Sequence, residues 1–495
     1  MTRTMLLFAI LELVLMGTHL PFVVSRRAVG KIQEGGPAVQ DVVYVGAQRM
    51  MDDSDEWGDE DEERDDGDTD SGNEMFASKT RGKAENSSER PVEECSSNTN
   101  TKTDSCSFDG DVLQGPVPRS VMDRGLVTTE VSPASILKEH GAWHSEEKAK
   151  NFQGETLGYV TPWHGAGYDF ARTFRSKFTY VSPVWYQLRG AGGASPKRSS
   201  FSLTGGHDFD EAWVSDVRNG VGGGREGTSD TDVTQIFPRV VLELRGDVRL
   251  SQADLRELAE LLVVEAVQRG YDGYVLDIPL SDGIEEFVGG IKAAAMGRGI
   301  DLLLIQSVRP GVSLSAHLRR RLVPLIHRFS LMTYDYRPPD MPNDSSQGER
   351  TGGGGVPNSP LSWLRECVET FAPGGPGSEL RSMALIGLPF YGYDNGRATT
   401  SGDVVSLLTA EQQRESGGVA GREISPISLD WDPVWREHVM SYRERAGNGI
   451  GIRDHLATFP TLAFIQERVD LAQQLGVGVA LWELGQGMPY FFDLF

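Results

Sequence analysis

Eight short apolar runs alternate with helix-like segments across the C-terminal part of this chain, and that alternation limits the folds open to it. The runs are TLGYVTPW (156–163), FTYVSPVWYQL (178–188), RVVLELRG (239–246), YDGYVLDIPL (271–280), IDLLLIQSV (300–308), FSLMTYDY (329–336), MALIGLPFYGY (383–393) and GVALWELGQG (478–487). Most are rich in Val, Ile, Leu and aromatic residues and apolar on both faces, as parallel strands covered by helices must be. Helix signals separate many of them. Ser251 with Asp254 three residues on makes a capping box, Leu255, Leu258, Leu262 and Ala266 form an apolar stripe, and Gly270 is a terminator. Ile284, Phe287, Val288 and Ile291 follow helical spacing, as do Leu462, Ile465, Val469 and Ala472 before Gly476. Pro360 after Ser359 marks a first helical position. The pattern predicts an α/β chain: a (β/α)8 TIM barrel with a small insertion between strand 7 and the last helix. A doubly wound open sheet is the alternative. The barrel is preferred because polar and aromatic residues gather at the C-terminal ends of several strands, where barrel sites form.

The residues before the barrel read differently. Between Asp52 and Asp70 there are thirteen Asp and Glu against Arg64 alone, so this stretch carries −12 of the chain's −23. From residue 26 to 118 the chain is charged, Ser/Asn/Gly-rich and short of apolar periodicity, which predicts a disordered acidic leader. A calcium-binding role for the acid run is the competing reading to a solvating spacer. The first 25 residues, with Arg3 ahead of the apolar stretch Met5 to Met16, predict a cleaved secretory signal, an uncleaved anchor being the alternative. The folded part is then expected over 119–495, in a secreted or lysosomal/endomembrane-lumen protein.

Three cysteines fit such a compartment. Cys95 and Cys106 could close a small loop, and Cys367, on the stripe of Leu364, Val368 and Phe371, reads as a buried thiol. No metal-ligand spacing appears, and no cofactor is expected. Asn86 and Asn343 head glycosylation sequons. The glycine runs at 222–224 and 352–355 lack the Lys-Ser/Thr of a phosphate loop. No basic face suited to nucleic acid is present, and no membrane span is expected beyond the signal segment.

The chemistry gathers at the strand ends. Alternation puts Val275, Asp277 and Pro279 on one face of the fourth strand, aiming Asp277 into the barrel's upper interior. A carboxylate there needs a strong partner or a task, because uncompensated burial costs several kcal/mol. The sixth strand brings Met332, Tyr334 and Asp335 to the same rim, the seventh brings Tyr391, and the eighth brings Trp482 with Glu483. An indole, tyrosine hydroxyls and carboxylates together suit a sugar: the ring packs on the apolar face of a pyranose while polar groups take its hydroxyls and amides. An aromatic residue at one strand end is more often core; three strands contributing to one rim shifts the balance.

These residues resemble glycoside hydrolase family 18, the chitinase-like barrels. The family's fourth strand reads D-G-x-D-x-D-x-E. Here Asp272 and Gly273 match its opening, Val275 replaces the middle Asp, Asp277 keeps the last, and Pro279 stands where the family has its catalytic Glu. Met332, Tyr334, Asp335 and Trp482 match the sixth- and eighth-strand motifs. The resemblance implies a substrate-assisted mechanism, in which the sugar's own acetamide oxygen attacks, the last Asp orients it and the Glu protonates the leaving oxygen. With Pro279 no proton can be donated, and general acid catalysis contributes roughly 10²–10⁴-fold. No catalytic residue is therefore assigned within Asp272, Val275, Asp277 and Pro279. The expected function is a lectin for chitin-type or other N-acetylated amino-sugar oligosaccharides, with Asp277, Met332, Tyr334, Asp335, Tyr391 and Trp482 binding the sugar. A weak hydrolase with its acid relocated to Glu483 or Asp335, and a scaffold for a protein receptor, are the alternatives.

Overall fold

A computed structural model describes residues 22–24, 112–146, 150–190, 201–220, 233–244, 248–281, 283–338, 357–415, 423–445 and 451–495. Eight parallel strands form a closed ring. They are β1 (Thr156–Val160), β2 (Tyr180–Pro183 continuing as Tyr186–Gly190), β3 (Gln235–Ile236 continuing as Arg239–Glu243), β4 (Gly273–Asp277), β5 (Leu303–Val308), β6 (Arg328–Leu331), β7 (Ala384–Pro389) and β8 (Gly478–Trp482). β2 and β3 are each bent once. Tyr180 pairs with Gln235 before the bends and Tyr186 with Val240 after them. β3 passes on to β4 through Arg239 and Val275, and the ring closes where Leu481 of β8 meets Gly158 of β1. The expected (β/α)8 barrel is the observed architecture.

The local signals explain its parts. The helix Gln252–Arg269 starts on the Ser251–Asp254 capping box and stops at Gly270, which takes φ 69°. Gly273 opens β4 because a Cβ there would lie 2.2 Å from the Leu303 carbonyl oxygen on β5. Pro360 is the residue capping the helix Leu361–Phe371, one position earlier than expected, and Cys367 is buried on that helix. Burial pushes the Cys367 thiol up to about 12.

Between β7 and the helix Leu462–Leu475 the expected insertion is a five-stranded antiparallel sheet, built from Gly392–Asp394, Arg397–Thr399, Ser428–Asp432, Glu437–Arg445 and Ile452–Phe459, with the helix Ser401–Glu415. Arg468 joins insertion to barrel. Fully buried, it donates to the carbonyls of Ser359 (3.1 Å from Nε) and Arg436 (2.9 Å).

Residues 112–145 pack on the barrel. Gln114 and Val117 bridge Gly141 and His144, so the boundary expected at residue 118 falls inside a paired segment. Asp493 fixes this segment to the C-terminus: its carboxylate accepts from the backbone N–H of Val121 (3.0 Å) and His144 (2.8 Å). Of the first 25 residues only Phe22–Val24 is described, as a strand antiparallel to Val248–Leu250. Asn86, Asn343, Cys95 and Cys106 lie outside the described residues. No helix among the described residues is long and apolar enough to cross a membrane.

Candidate functional site at the barrel mouth

Strand parity puts Tyr159 (β1), Arg239 (β3), Asp277 (β4), Ser307 (β5), Ser330 (β6) and Trp482 (β8) on the inward face. The register pairs Val241 with Asp277 and Ser307 with Ser330, and Tyr159 reaches across the barrel to Ser330, oxygen to oxygen 3.0 Å. Asp277 therefore points inward as expected, but it has a resident partner. Arg239 donates from Nη2 to Asp277 Oδ2, with the two side chains 8% and 16% exposed. Sequence reasoning missed Arg239. Its signal was a cation at an inward position of the third strand, one strand before Asp277. A guanidinium buried there answers the cost of the buried acid. Its Nη1 has no partner among the described residues.

Trp482 is half-buried at the end of β8 and gathers the other aromatics. Its ring lies 5.0 Å from Tyr159, 6.2 Å and near-parallel (24°) to Tyr334, and 5.5 Å from the Arg239 guanidinium carbon. Tyr334 can approach because β7 carries Gly387 opposite it; a Cβ at that position would stand 2.7 Å from the Tyr334 ring. Burial drives the hydroxyls of Tyr334 and Tyr391 well above the ordinary phenol range and pushes Tyr159 up to about 12. They act as neutral hydrogen-bonding groups.

Asp335 is engaged in a different way. It adopts φ 61°, its N–H donates to Asn358 Oδ1 at 2.9 Å, and its Oδ1 accepts from Tyr391 (2.5 Å) and from Tyr393. Met332 is half-buried at the same rim. Asp272 belongs to the base of β4, not to this group: it accepts from Arg218 (2.5 Å) and the Ile236 N–H (2.8 Å). Val275 is fully buried, and Pro279 is exposed beyond the end of β4. Glu483 is 1% exposed, with its carboxylate against His164 Nδ1 and the Gly485 N–H at 2.6 Å. Both candidates for a relocated acid are thus already hydrogen-bonded. After β1 the rim carries Trp163, 50% exposed, a second indole that closes the run TLGYVTPW but was not counted among the expected site residues.

No family model matches this chain. In fold it is similar to a chitinase from Chromobacterium violaceum (TM-score 0.47, 17% identity, covering 69% of this chain and 98% of that one). It is likewise similar to the spore cortex-lytic enzyme SleL of Bacillus cereus (TM-score 0.44, 16% identity, 69% and 73%). A family 18 chitinase from Cycas revoluta, solved in complex with (GlcNAc)3, gives TM-score 0.43 and 13% identity over 69% and 98%.

Proposed function

We propose that this protein is a chitinase-like lectin of the secretory pathway that binds chitin-type or other N-acetylated amino-sugar oligosaccharides without hydrolysing them. The observation that carries the reading is the inward group of Trp482, Tyr334, Asp277 and Arg239 at the barrel mouth, with Pro279 exposed where a proton donor would be needed. The indole offers an apolar face, and Asp277 Oδ1 is open to accept from an amide or hydroxyl. Met332, Asp335 and Tyr391 complete the rim, and the exposed Trp163 extends it toward a longer ligand.

Within family 18 the segments DRGLVTTEVSPASILKEH, LGYVTPWHGAGYD, FSLMTYDYRPPDMP, PLSWLRECV and LGVGVALWELGQGMPYFFDLF resemble chitinase domain-containing protein 1. This likeness runs from about Val121 to Phe495, leaves out the acidic leader, and makes the glycine runs local insertions. It supports a secreted or lysosomal setting; the cleaved signal and the sugars at Asn86 and Asn343 rest on the signal-like first 25 residues and the two sequons.

A glycan array probed with the chain from residue 112 onward, beside a chito-oligosaccharide hydrolysis assay, tests the reading. Binding of N-acetylated oligomers with background turnover is expected. Robust turnover, or an array without amino-sugar hits, would contradict it.

A further inference from the structure

Two tryptophans stand at the barrel mouth, and the residue after each one meets the residue after the other. Trp163 precedes His164 on the loop leaving β1, and Trp482 precedes Glu483 at the end of β8. His164 Nδ1 lies against Glu483 Oε2, while Glu483 Oε1 accepts from the Gly485 N–H at 2.6 Å. The two loops are packed without slack: a Cβ on Gly485 would lie 2.8 Å from His164 Cβ, and one on Gly167 would lie 3.2 Å from Glu483 Oε1. His164 is also fixed from its own loop, its N–H donating to the Thr161 carbonyl (3.1 Å) and its carbonyl accepting from Gly167 (2.9 Å).

We propose that the His164–Glu483 pair is a positioning latch that sets the spacing of the Trp163 and Trp482 indoles, and so selects oligosaccharides long enough to touch both. This rests on the sugar-binding reading above. Glu483 is 1% exposed and His164 30% exposed, so the carboxylate has left water while the imidazole has not. A carboxylate buried to that degree needs a compensating charge as well as hydrogen bonds. Among the described residues His164 is the basic side chain within ion-pair distance of it.

The other groups facing the pair carry no positive charge. Thr161 Oγ1 is 3.4 Å from His164 Nδ1. From the helix Ala166–Thr173, Tyr168 accepts from Trp185 Nε1 at 2.7 Å; its hydroxyl is pushed up to about 12, chiefly by burial, with Glu483 adding to the rise.

Calorimetric titration of the wild type and the latch variants with a short and a longer N-acetylglucosamine oligomer tests this. Glu483→Gln should bind the longer oligomer about fivefold more weakly than the wild type, the effect of a partly exposed ion pair. The short oligomer, reaching only Trp482, should bind all of them alike. His164→Lys, which keeps a basic group opposite the carboxylate, should bind the longer oligomer as the wild type does. His164→Asn, which keeps a donor near Nδ1 without a basic group, repeats the Glu483→Gln test if that variant melts early. Wild-type affinity for the longer oligomer in Glu483→Gln and His164→Asn, or equal weakening of both oligomers, would overturn the latch. Trp482→Ala in the same series separates the two failures. If it leaves binding intact, the sugar site itself is wrong. If it abolishes binding while the latch variants behave as wild type, only the latch is wrong.

Discussion

Arg239 donates to the Asp277 carboxylate inside the barrel, and its guanidinium carbon stands 5.5 Å from the centre of the Trp482 ring. One cation therefore supports both the acid and the indole of the candidate sugar site. Asp277 is thereby held in place as a hydrogen-bond acceptor by a partner built into the barrel. A group that must take up and release protons during a reaction is poorly served by such a partner.

Asp277→Asn should therefore have two effects. It removes the charge opposite a guanidinium that is mostly buried, so the melting temperature should fall, with a stability loss on the order of 3 kcal/mol. It also weakens the acceptor offered to an acetamide N–H, so N-acetylated oligomers should lose more affinity than free-amine ones. Melting curves and paired titrations measure both. Equal losses for the two ligand types would remove Asp277 from amide recognition.

Pro279→Glu should not restore hydrolysis. The side chain would be placed beyond the end of β4, but Asp277 would still be held by Arg239 and Val275 would still replace the motif's middle acid. Release of reducing ends from an N-acetylglucosamine oligomer should stay near background. Turnover rising a hundredfold would show that the missing proton donor was the sole defect.

The barrel was readable from the sequence because its signals are local and repeated. The Ser251–Asp254 box, the Gly270 stop and the two-sided apolar strands each depend on near neighbours. Strand parity also placed Asp277 and Trp482 inward. What it did not reveal were pairings across the fold. Arg239 meets Asp277 because β3 and β4 lie side by side in one register, and Asp335 faces Tyr391 and Tyr393 only because the chain turns at a positive φ after β6. The start of the fold was read too late for the same reason. Gln114 and Val117 carry no periodic pattern of their own; they are ordered by bridges to Gly141 and His144.

That start gives a truncation test. The chain from residue 112 should melt as the full chain does. The chain from Val121 loses both bridges and the contact of Gly115 with the Trp143 ring, and should melt several degrees lower. Coincident melting of all three would mean that residues 112–120 add nothing to stability.

His438 supplies a pH dependence. It is fully buried, its ring nitrogens 2.8 Å from Thr461 Oγ1 and 3.1 Å from the Thr129 carbonyl oxygen, and burial lowers it to about 4. The folded form thus resists protonation that the unfolded chain accepts. Stability from the neutral ring is complete above the ordinary histidine range and is lost as pH falls toward about 4, a change on the order of 3 kcal/mol. Denaturant unfolding across that interval should show the loss in the wild type and a flatter profile in His438→Gln. Parallel profiles would assign the acid sensitivity elsewhere.

The most direct measurement is calorimetric titration of Trp482→Ala with a chito-oligomer, beside a melting curve. Trp482 is half-buried, with Tyr159 and Tyr334 on its flanks, and offers the largest apolar contact in a site otherwise made of hydrogen-bonding groups. As a sugar platform its loss should cost about 2 kcal/mol or more of binding, a factor of ~30 in affinity, while the protein stays folded. As a core residue its loss would instead cost roughly 3–5 kcal/mol of stability. Abolished binding in a folded Trp482→Ala protein is the predicted result; unchanged affinity would contradict the sugar site at the barrel mouth.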